Sequence, residues 1–386
     1  MAMQDSKLFQ PFPFTPDLTL RNRIIMAPMT TWSANDDGTV SEQELQYLRQ
    51  RVQGVGLVIT GCTHVLENGI GFTNEFAAFD DRFIPSLKNL AQAAQSGGAP
   101  AILQIFHAGN KALPDLIPNR DVVSASALRT PAGSFIDSQM TTRALSDQEV
   151  LDMVHAFGET ARRAIAAGFD GIELHGAHGF LIQNFFSPLF NQRVDEWGGT
   201  LEKRMNFPLA VVNEVQRVIK QYAQKPFALG YRISVEEYEE HGLRISDSLQ
   251  LIDRLVAAGI DYLHVSLTDV LNSQPVDRTD DELTIQRIVK HLNHRIPLIS
   301  AGKIRTPSQA EQALALGLPL IAIGKAIVMN PDWVELAGNK EASRISTELE
   351  TERNPELRIP DQLWNEIKAR NGWFPIRQKE NGVKIA

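Results

Sequence analysis

The chain reads as a mixed α/β protein, a single (β/α)8 TIM barrel with a capping insertion after the third strand and a C-terminal extension. Three observations carry this reading. Eight short apolar runs end in Gly, His, Ser or Arg. Helical patterns with legible ends lie between most of them. The joints also repeat: "AIAAGFDGIEL", "LVAAGIDYLHV" and "ALALGLPLIAI" are each helix, glycine stop, then strand, the unit such a barrel reiterates.

In order, the runs are RIIMAPM (23–29), GLVITGC (56–62), PAILQIFH (100–107), GIELHG (171–176), FALGYRI (227–233), YLHVSL (262–267), PLISAG (297–302) and LIAIGK (320–325). They lack clean alternation, as parallel strands covered on both faces require. Ser146 with Glu149 forms a capping box for a helix that Gly168 stops. Ser246 opens a second helix, stopped by Gly259, and Thr306-Pro307 a third, stopped by Gly317. A doubly wound sheet is the rival fold, but eight consecutive units without a crossover break favour closure. Residues 108–145, rich in Pro and Ser, interrupt the alternation and read as the cap. Residues 331–386 read as the extension, in which only IPDQLWNEIKARNGWFP has packing character. No second domain is evident, so residues 1–386 read as one domain.

Composition narrows the function. Across 386 residues, 43% hydrophobic and 22% charged side chains are ordinary for a globular protein. A net charge of −8 without a Lys/Arg stripe argues against a nucleic-acid partner. Cys62, the single cysteine, excludes an internal disulfide framework, a thiolate zinc site and a four-cysteine iron–sulfur cluster. The opening "MAMQDSKLFQPFPF" lacks the pattern of a secretory signal. The most apolar tract, "QALALGLPLIAIGKAIVM", carries Pro319 and Lys325 and is cut by Gly317 and Gly324, so no membrane span is expected. A cytoplasmic protein without a membrane partner is the expectation.

Barrel active sites form at the C-terminal ends of the strands. Those ends carry Pro28-Met29-Thr30, Gly61, Gln104, His107, His175, His178, Arg232, Ser266, Gly302-Lys303 and Gly324-Lys325, a set rich in donors and without an inward carboxylate. His175 and His178 could bind a metal, cap a loop or hold a substrate. A metal needs a third ligand. Glu173 shares the strand face but sits deeper, and His107 is the one other candidate, so no metal is expected. Arg232, Gln104 and the two Gly-Lys pairs make the mouth electropositive, which speaks against a purely structural role. The pairs follow strands seven and eight, where such barrels commonly cradle a phosphate on helix N-termini and a cation.

The segments "NRIIMAPMT", "HGAHGFLIQNFFSPLFNQRVDEWGG", "YRIS" and the "GK" after strand eight together resemble the old yellow enzyme family, flavin-dependent ene-reductases, in matching order from about Leu8 to Trp333. The resemblance implies non-covalent FMN, with NADH or NADPH as hydride donor. Ala27, Pro28, Met29 and Thr30 match the segment along the isoalloxazine ring. Gly61 and Gln104 match contacts to its pyrimidine side. Arg232 matches the arginine near N1 and O2, where fixed positive charge stabilises the reduced ring. Gly302, Lys303, Gly324 and Lys325 match the phosphate region, although many members have arginine where Lys325 stands. His175 and His178 match the pair that holds a substrate oxygen over the flavin while hydride passes to the β-carbon. His175, His178, Thr30 and Arg232 are thus the candidate catalytic residues. Trp32 and Phe180 join the histidines on the substrate wall.

Two departures stand out. Phe180 replaces the tyrosine that protonates the α-carbon in many members, which implies a slower oxidative half-reaction unless Tyr238 or water substitutes. Thr30 stands where one subgroup has a redox-tuning cysteine, and Trp32 where that subgroup has tyrosine. Cys62 reads as packing, and Trp373 as local core packing more than as a pocket cover. The expected activity is ping-pong reduction of activated C=C bonds in α,β-unsaturated carbonyl or nitro compounds, small electrophiles. The alternative is an FMN-dependent NAD(P)H oxidase or quinone reductase. A flavin-binding protein without catalysis and a metal-dependent lyase or hydrolase are the readings from other classes. A homodimer or homotetramer is implied by the resemblance alone.

Overall fold

The computed structural model describes residues 6–130 and 140–377; part of the expected cap, 131–139, lies outside the described residues. All eight apolar runs form barrel strands: β1 (Ile24–Met26), β2 (Leu57–Ile59), β3 (Ala101–Phe106), β4 (Gly171–Gly176), β5 (Ala228–Ile233), β6 (Tyr262–Ser266), β7 (Leu298–Ala301) and β8 (Leu320–Ile323). Each pairs in parallel with the next, β8 pairs with β1, and β3 with β4, so the sheet closes. Six of the eight strands stop short of the C-terminal end of their run, β4 and β5 being the exceptions. The trailing residues become the loops at the mouth.

Register decides which side chains meet. Glu173 on β4 stands opposite Gln104 on β3. His175 stands opposite Arg232 on β5, and Arg232 opposite His264 on β6. Below this level the barrel is filled by Leu57, Ile59, Ile102, Ile299 and Leu320, among others. A hairpin of Phe12–Thr15 and Leu18–Leu20, which the sequence reading did not anticipate, inserts Phe14 and Leu20 into the same inner cluster. Each such side chain contributes about 1.5–3 kcal/mol by leaving water.

The helices pack outside the strands: α1 (Glu42–Arg51), α2 (Ile84–Gln95), α3 (Asp147–Ala167), α4 (Leu181–Phe186), α5 (Asn206–Tyr222), α6 (Ile245–Ala258), α7 (Thr284–Leu292), α8 (Pro307–Ala315), α9 (Lys325–Met329), α10 (Trp333–Gly338) and α11 (Asp361–Ala369). Ser146 and Glu149 cap α3 reciprocally, and Gly168 ends it in a left-handed turn. Thr306 caps α8. Ser246 does not cap α6, which begins one residue earlier. There the Asp247 carboxylate accepts the backbone N–H of Arg244, the N-cap residue, and Ser246 lies inside the first turn.

The segment 108–145 lies between β3 and α3 and holds three 3-10 turns and two short strand pairs among its described residues. The tail is better packed than expected. Trp333 is fully buried, Leu349 and Leu357 are nearly so, and Leu363, Ile367 and Phe374 join them. Leu363 and Ile367 lie on α11, in the segment with packing character, whereas Leu349 and Leu357 are single apolar residues outside the longer helices, too sparse to show periodicity. Buried Arg51 ties tail to barrel by donating to the carbonyls of Val328 and Leu357. Among the described residues no helix is long and apolar enough to cross a membrane.

Gly230 on β5 lies directly under the Tyr262 ring; a Cβ there would come within 2.0 Å of Tyr262 Cζ. Gly230→Ala is therefore expected to lower unfolding free energy by ~1–3 kcal/mol in a urea titration. An unchanged midpoint would contradict this packing.

Candidate active site

A cavity of about 720 Å³ opens at the C-terminal mouth, between the strand ends and the tail. Beneath its lining lies Glu173, fully buried. Gln104 Nε2 donates to one carboxylate oxygen at 2.7 Å; Tyr262 O–H and His264 Nδ1 reach the other, each at 3.0 Å. Burial works against its ionisation, but His264, Arg232 and Gln104 outweigh it and hold the group below the ordinary carboxylate range. Because Gln104 spends its amide N–H on Glu173, its carbonyl oxygen is left as an acceptor at the cavity.

Arg232 stands above this layer, buried, with one N–H of its guanidinium donating to Ser266 Oγ at 3.3 Å and its Nε without a partner. Ser266 Oγ also lies 2.7 Å from His178 Nε2. A hydroxyl can accept from arginine and donate to imidazole at once, and in that arrangement His178 carries its N–H on Nδ1. His175 Nδ1 accepts the Ala177 N–H at 3.3 Å, so its N–H is on Nε2. The rings lie 5.0 Å apart at 75° and both line the cavity. Burial, then the repulsion that a protonated His178 would exert and that of Arg232, hold His175 well below the usual imidazole range. His178 is lowered by its enclosing walls and by Arg232 and Lys111; as the ring is open to the mouth, the two charges are the firmer cause. Two neutral imidazoles that each offer one N–H can hold a polarised oxygen without protonating it.

Pro28, Met29 and Thr30 line the cavity, as do Trp32, Gln104, Arg232, Phe180 and Lys325. Ala27 packs beneath it in the inner barrel cluster. Gly61 turns away, tight against the Met29 carbonyl, and its neighbour Cys62 takes the wall position instead, with Sγ 3.5 Å from Thr30 Oγ1. The resemblance points to Gly61, but β2 ends at Ile59 and the chain turns there. Trp32 is held at φ +49°, an unusual backbone for a large residue, by edge contacts with Phe72 and Trp373 at 5.4 and 5.7 Å. Trp373 is thus part of the cavity wall of this same chain, beyond its local packing on Phe374.

The adjacent ends of β7 and β8 bring the two Gly-Lys pairs side by side. Gly302, Lys303 and Gly324 lie outside the cavity lining, and Lys303 Nζ is 3.8 Å from Asp269. Lys325 donates to the Trp373 carbonyl. Burial first, then Arg305 and Lys303, depress its pKa, so three cations share this corner. Arg305 was not anticipated, because it lies two residues past the glycine-lysine signal. A corner with three cations and one nearby carboxylate, beside a cavity with an unspent guanidinium N–H and an amide carbonyl, fits a planar heterocycle carrying a phosphate. No group of three or more metal-ligating side chains occurs among the described residues. His107 is committed to Asn68 and the Gly109 N–H.

The family model for the NADH:flavin oxidoreductase / NADH oxidase family matches residues 7–343. A probable NADH-dependent flavin oxidoreductase of Bacillus subtilis is 41% identical over 371 residues, 96% of this chain and 98% of the relative. An NADH:fumarate oxidoreductase of Klebsiella pneumoniae is 37% identical over 93% of this chain, which spans only 39% of that protein. Among solved structures, morphinone reductase in complex with tetrahydroNAD superposes with a TM-score of 0.76 at 24% identity, over 98% of this chain and 99% of that one. The old yellow enzyme homologue of Zymomonas mobilis gives the same score and identity over 93% and 96%.

Three buried histidines set an acid limit on the fold. Burial lowers His64 to about 4 and His107 to about 3, and holds His175 low as well, whereas an unfolded imidazole titrates near 6.5. Below that value the unfolded chain binds more protons, so stability is full above it and falls as the pH drops toward 4. His64 and His107 each contribute a slope on the order of 1 kcal/mol per pH unit in that window. Urea midpoints that stay level from about pH 6.5 to 5 would contradict the burial of these rings.

Proposed function

This chain belongs to the NADH:flavin oxidoreductase / NADH oxidase family, an oxidoreductase that uses FMN with NAD(P)H as hydride donor, and from that premise we propose that it reduces activated C=C bonds. The substrates are small α,β-unsaturated carbonyl or nitro compounds, and the two half-reactions alternate in one pocket. The observation that carries the reading is the pair of neutral, converging imidazoles, His175 and His178, at the wall of an electropositive cavity.

FMN, when bound, supplies the hydride transfer. The protein does the rest. Thr30 and the Pro28-Met29 segment on one side, and Gln104 with Arg232 on another, would hold the ring; Lys325, Arg305 and Lys303 would hold the phosphate. His175 Nε2–H and His178 Nδ1–H would donate to the substrate oxygen and stabilise the enolate-like charge that grows as the β-carbon is reduced. Arg232, tied to His178 through Ser266, adds fixed positive charge next to that oxygen. Trp32, Phe72 and Trp373 exclude water from the mouth.

A second reading keeps FMN and makes oxygen or a quinone the acceptor. Phe180 favours it, since neither acceptor needs a proton on carbon. The pair of donors is the test. His175→Ala and His178→Ala are each expected to lower kcat/KM for 2-cyclohexenone by about 10²–10³-fold. Loss of less than about tenfold in both would remove the basis for this reading.

A further inference from the structure

Reduction of a C=C bond needs a proton as well as a hydride, and Phe180 has none to give. We propose that Lys111 is the proton donor to the α-carbon; the assignment rests on the alkene-reductase reading above. Its ammonium lines the cavity, donates to the His178 carbonyl at 2.5 Å and lies 5.6 Å from the centre of the Phe180 ring. It therefore stands beside the side chain at the position where many members carry the tyrosine.

The position is built. Lys111 closes a 3-10 turn, Gly109–Lys111, at the start of the segment that follows β3. The Asn110 N–H donates to Asn184 Oδ1 on α4 at 3.1 Å, and the Gly109 N–H to His107 Nδ1 at 3.0 Å. Gly179 leaves room for the ammonium: a Cβ there would stand 2.9 Å from Nζ. One of the three N–H bonds goes to His178, and the others are available to a substrate.

The rivals in the cavity are weaker. His175 is neutral and its N–H is needed on the substrate oxygen. Burial pushes the Cys62 thiol well up, away from proton release. Glu236 is committed to the Ile245 and Val276 N–H groups, and Glu237 to Gln183, Ser187 and Leu243. Tyr238 is 76% exposed at the rim. Burial, opposed in part by Glu237 and Glu239, lowers the Lys111 pKa, which makes its ammonium a readier acid.

In the step, a C–H bond forms at the α-carbon as a Lys111 N–H bond breaks, and the electron pair of that bond stays on nitrogen. The negative charge that hydride transfer left on the substrate is neutralised. The amine then regains a proton from water at the rim.

Two variants separate acid from charge. Lys111→Arg keeps the charge on a guanidinium that does not deprotonate in proteins, and Lys111→Met removes both. The readout is the rate at which NADH-reduced enzyme is reoxidised anaerobically by 2-cyclohexenone, divided by the rate with benzoquinone. Both variants are expected to lower this ratio by ~10²-fold or more, and adding Phe180→Tyr to Lys111→Met should restore it at least ~10-fold. A wild-type ratio in Lys111→Arg overturns the proposal, whatever Lys111→Met does. A wild-type enzyme that benzoquinone reoxidises and the enone does not would overturn the alkene-reductase reading itself.

Discussion

The site is organised around one buried anion. Glu173 is fully enclosed at the centre of the barrel, and such a charge is tolerable only when its oxygens are satisfied. Its three partners come from two other strands: Gln104 from β3, Tyr262 and His264 from β6. Meeting that need fixes the inner faces of β3, β4 and β6 against each other. It turns Gln104 so that a carbonyl faces the mouth, and it gives buried Arg232 a counter-charge below. Removing one partner of such a network typically costs about 3–5 kcal/mol, which places Glu173 under the strongest constraint in the barrel. Gly230 is part of the same arrangement, since the Tyr262 ring that reaches Glu173 occupies the space of its missing side chain.

Above the anion, the cavity divides electrostatic work among groups that differ in protonation. The imidazoles are neutral and can hold an oxygen. Arg232 is a fixed cation that cannot give up its proton. Lys111 is a cation that can. Lys325 is a cation held by the tail through the Trp373 carbonyl, in a corner it shares with Arg305 and Lys303. The strained backbones of Trp32 and His178, at φ +49° and +59°, fall in the same region, where surrounding packing has to compensate for their cost.

Much of this was legible in the sequence, and the limits have physical causes. The eight strands were readable because parallel strands buried on both faces leave unbroken apolar runs, and the histidine pair because it follows such a run directly. Caps at Ser146 and Thr306 are local chemistry and were readable too; Ser246 failed because the helix begins before it, at Ile245, with Arg244 in the capping position. Cys62 packs in a small apolar cluster, as read, but it also reaches the cavity wall, because β2 ends at Ile59 and the chain turns there. Lys111 and Arg305 sit in turns whose direction depends on contacts with α4 and the barrel rim, and no periodicity marks them. Trp373 looked like a core aromatic, since nothing in its own segment says that Trp32, more than 300 residues earlier, stands beside it.

The most direct test is an anaerobic single turnover. NADH is added until the flavin band of the purified protein bleaches, and 2-cyclohexenone is then added with oxygen and quinones excluded. Alkene reduction predicts that the band returns and that one saturated ketone forms per flavin. A band that stays bleached with the enone and returns on admitting oxygen or a quinone would contradict it.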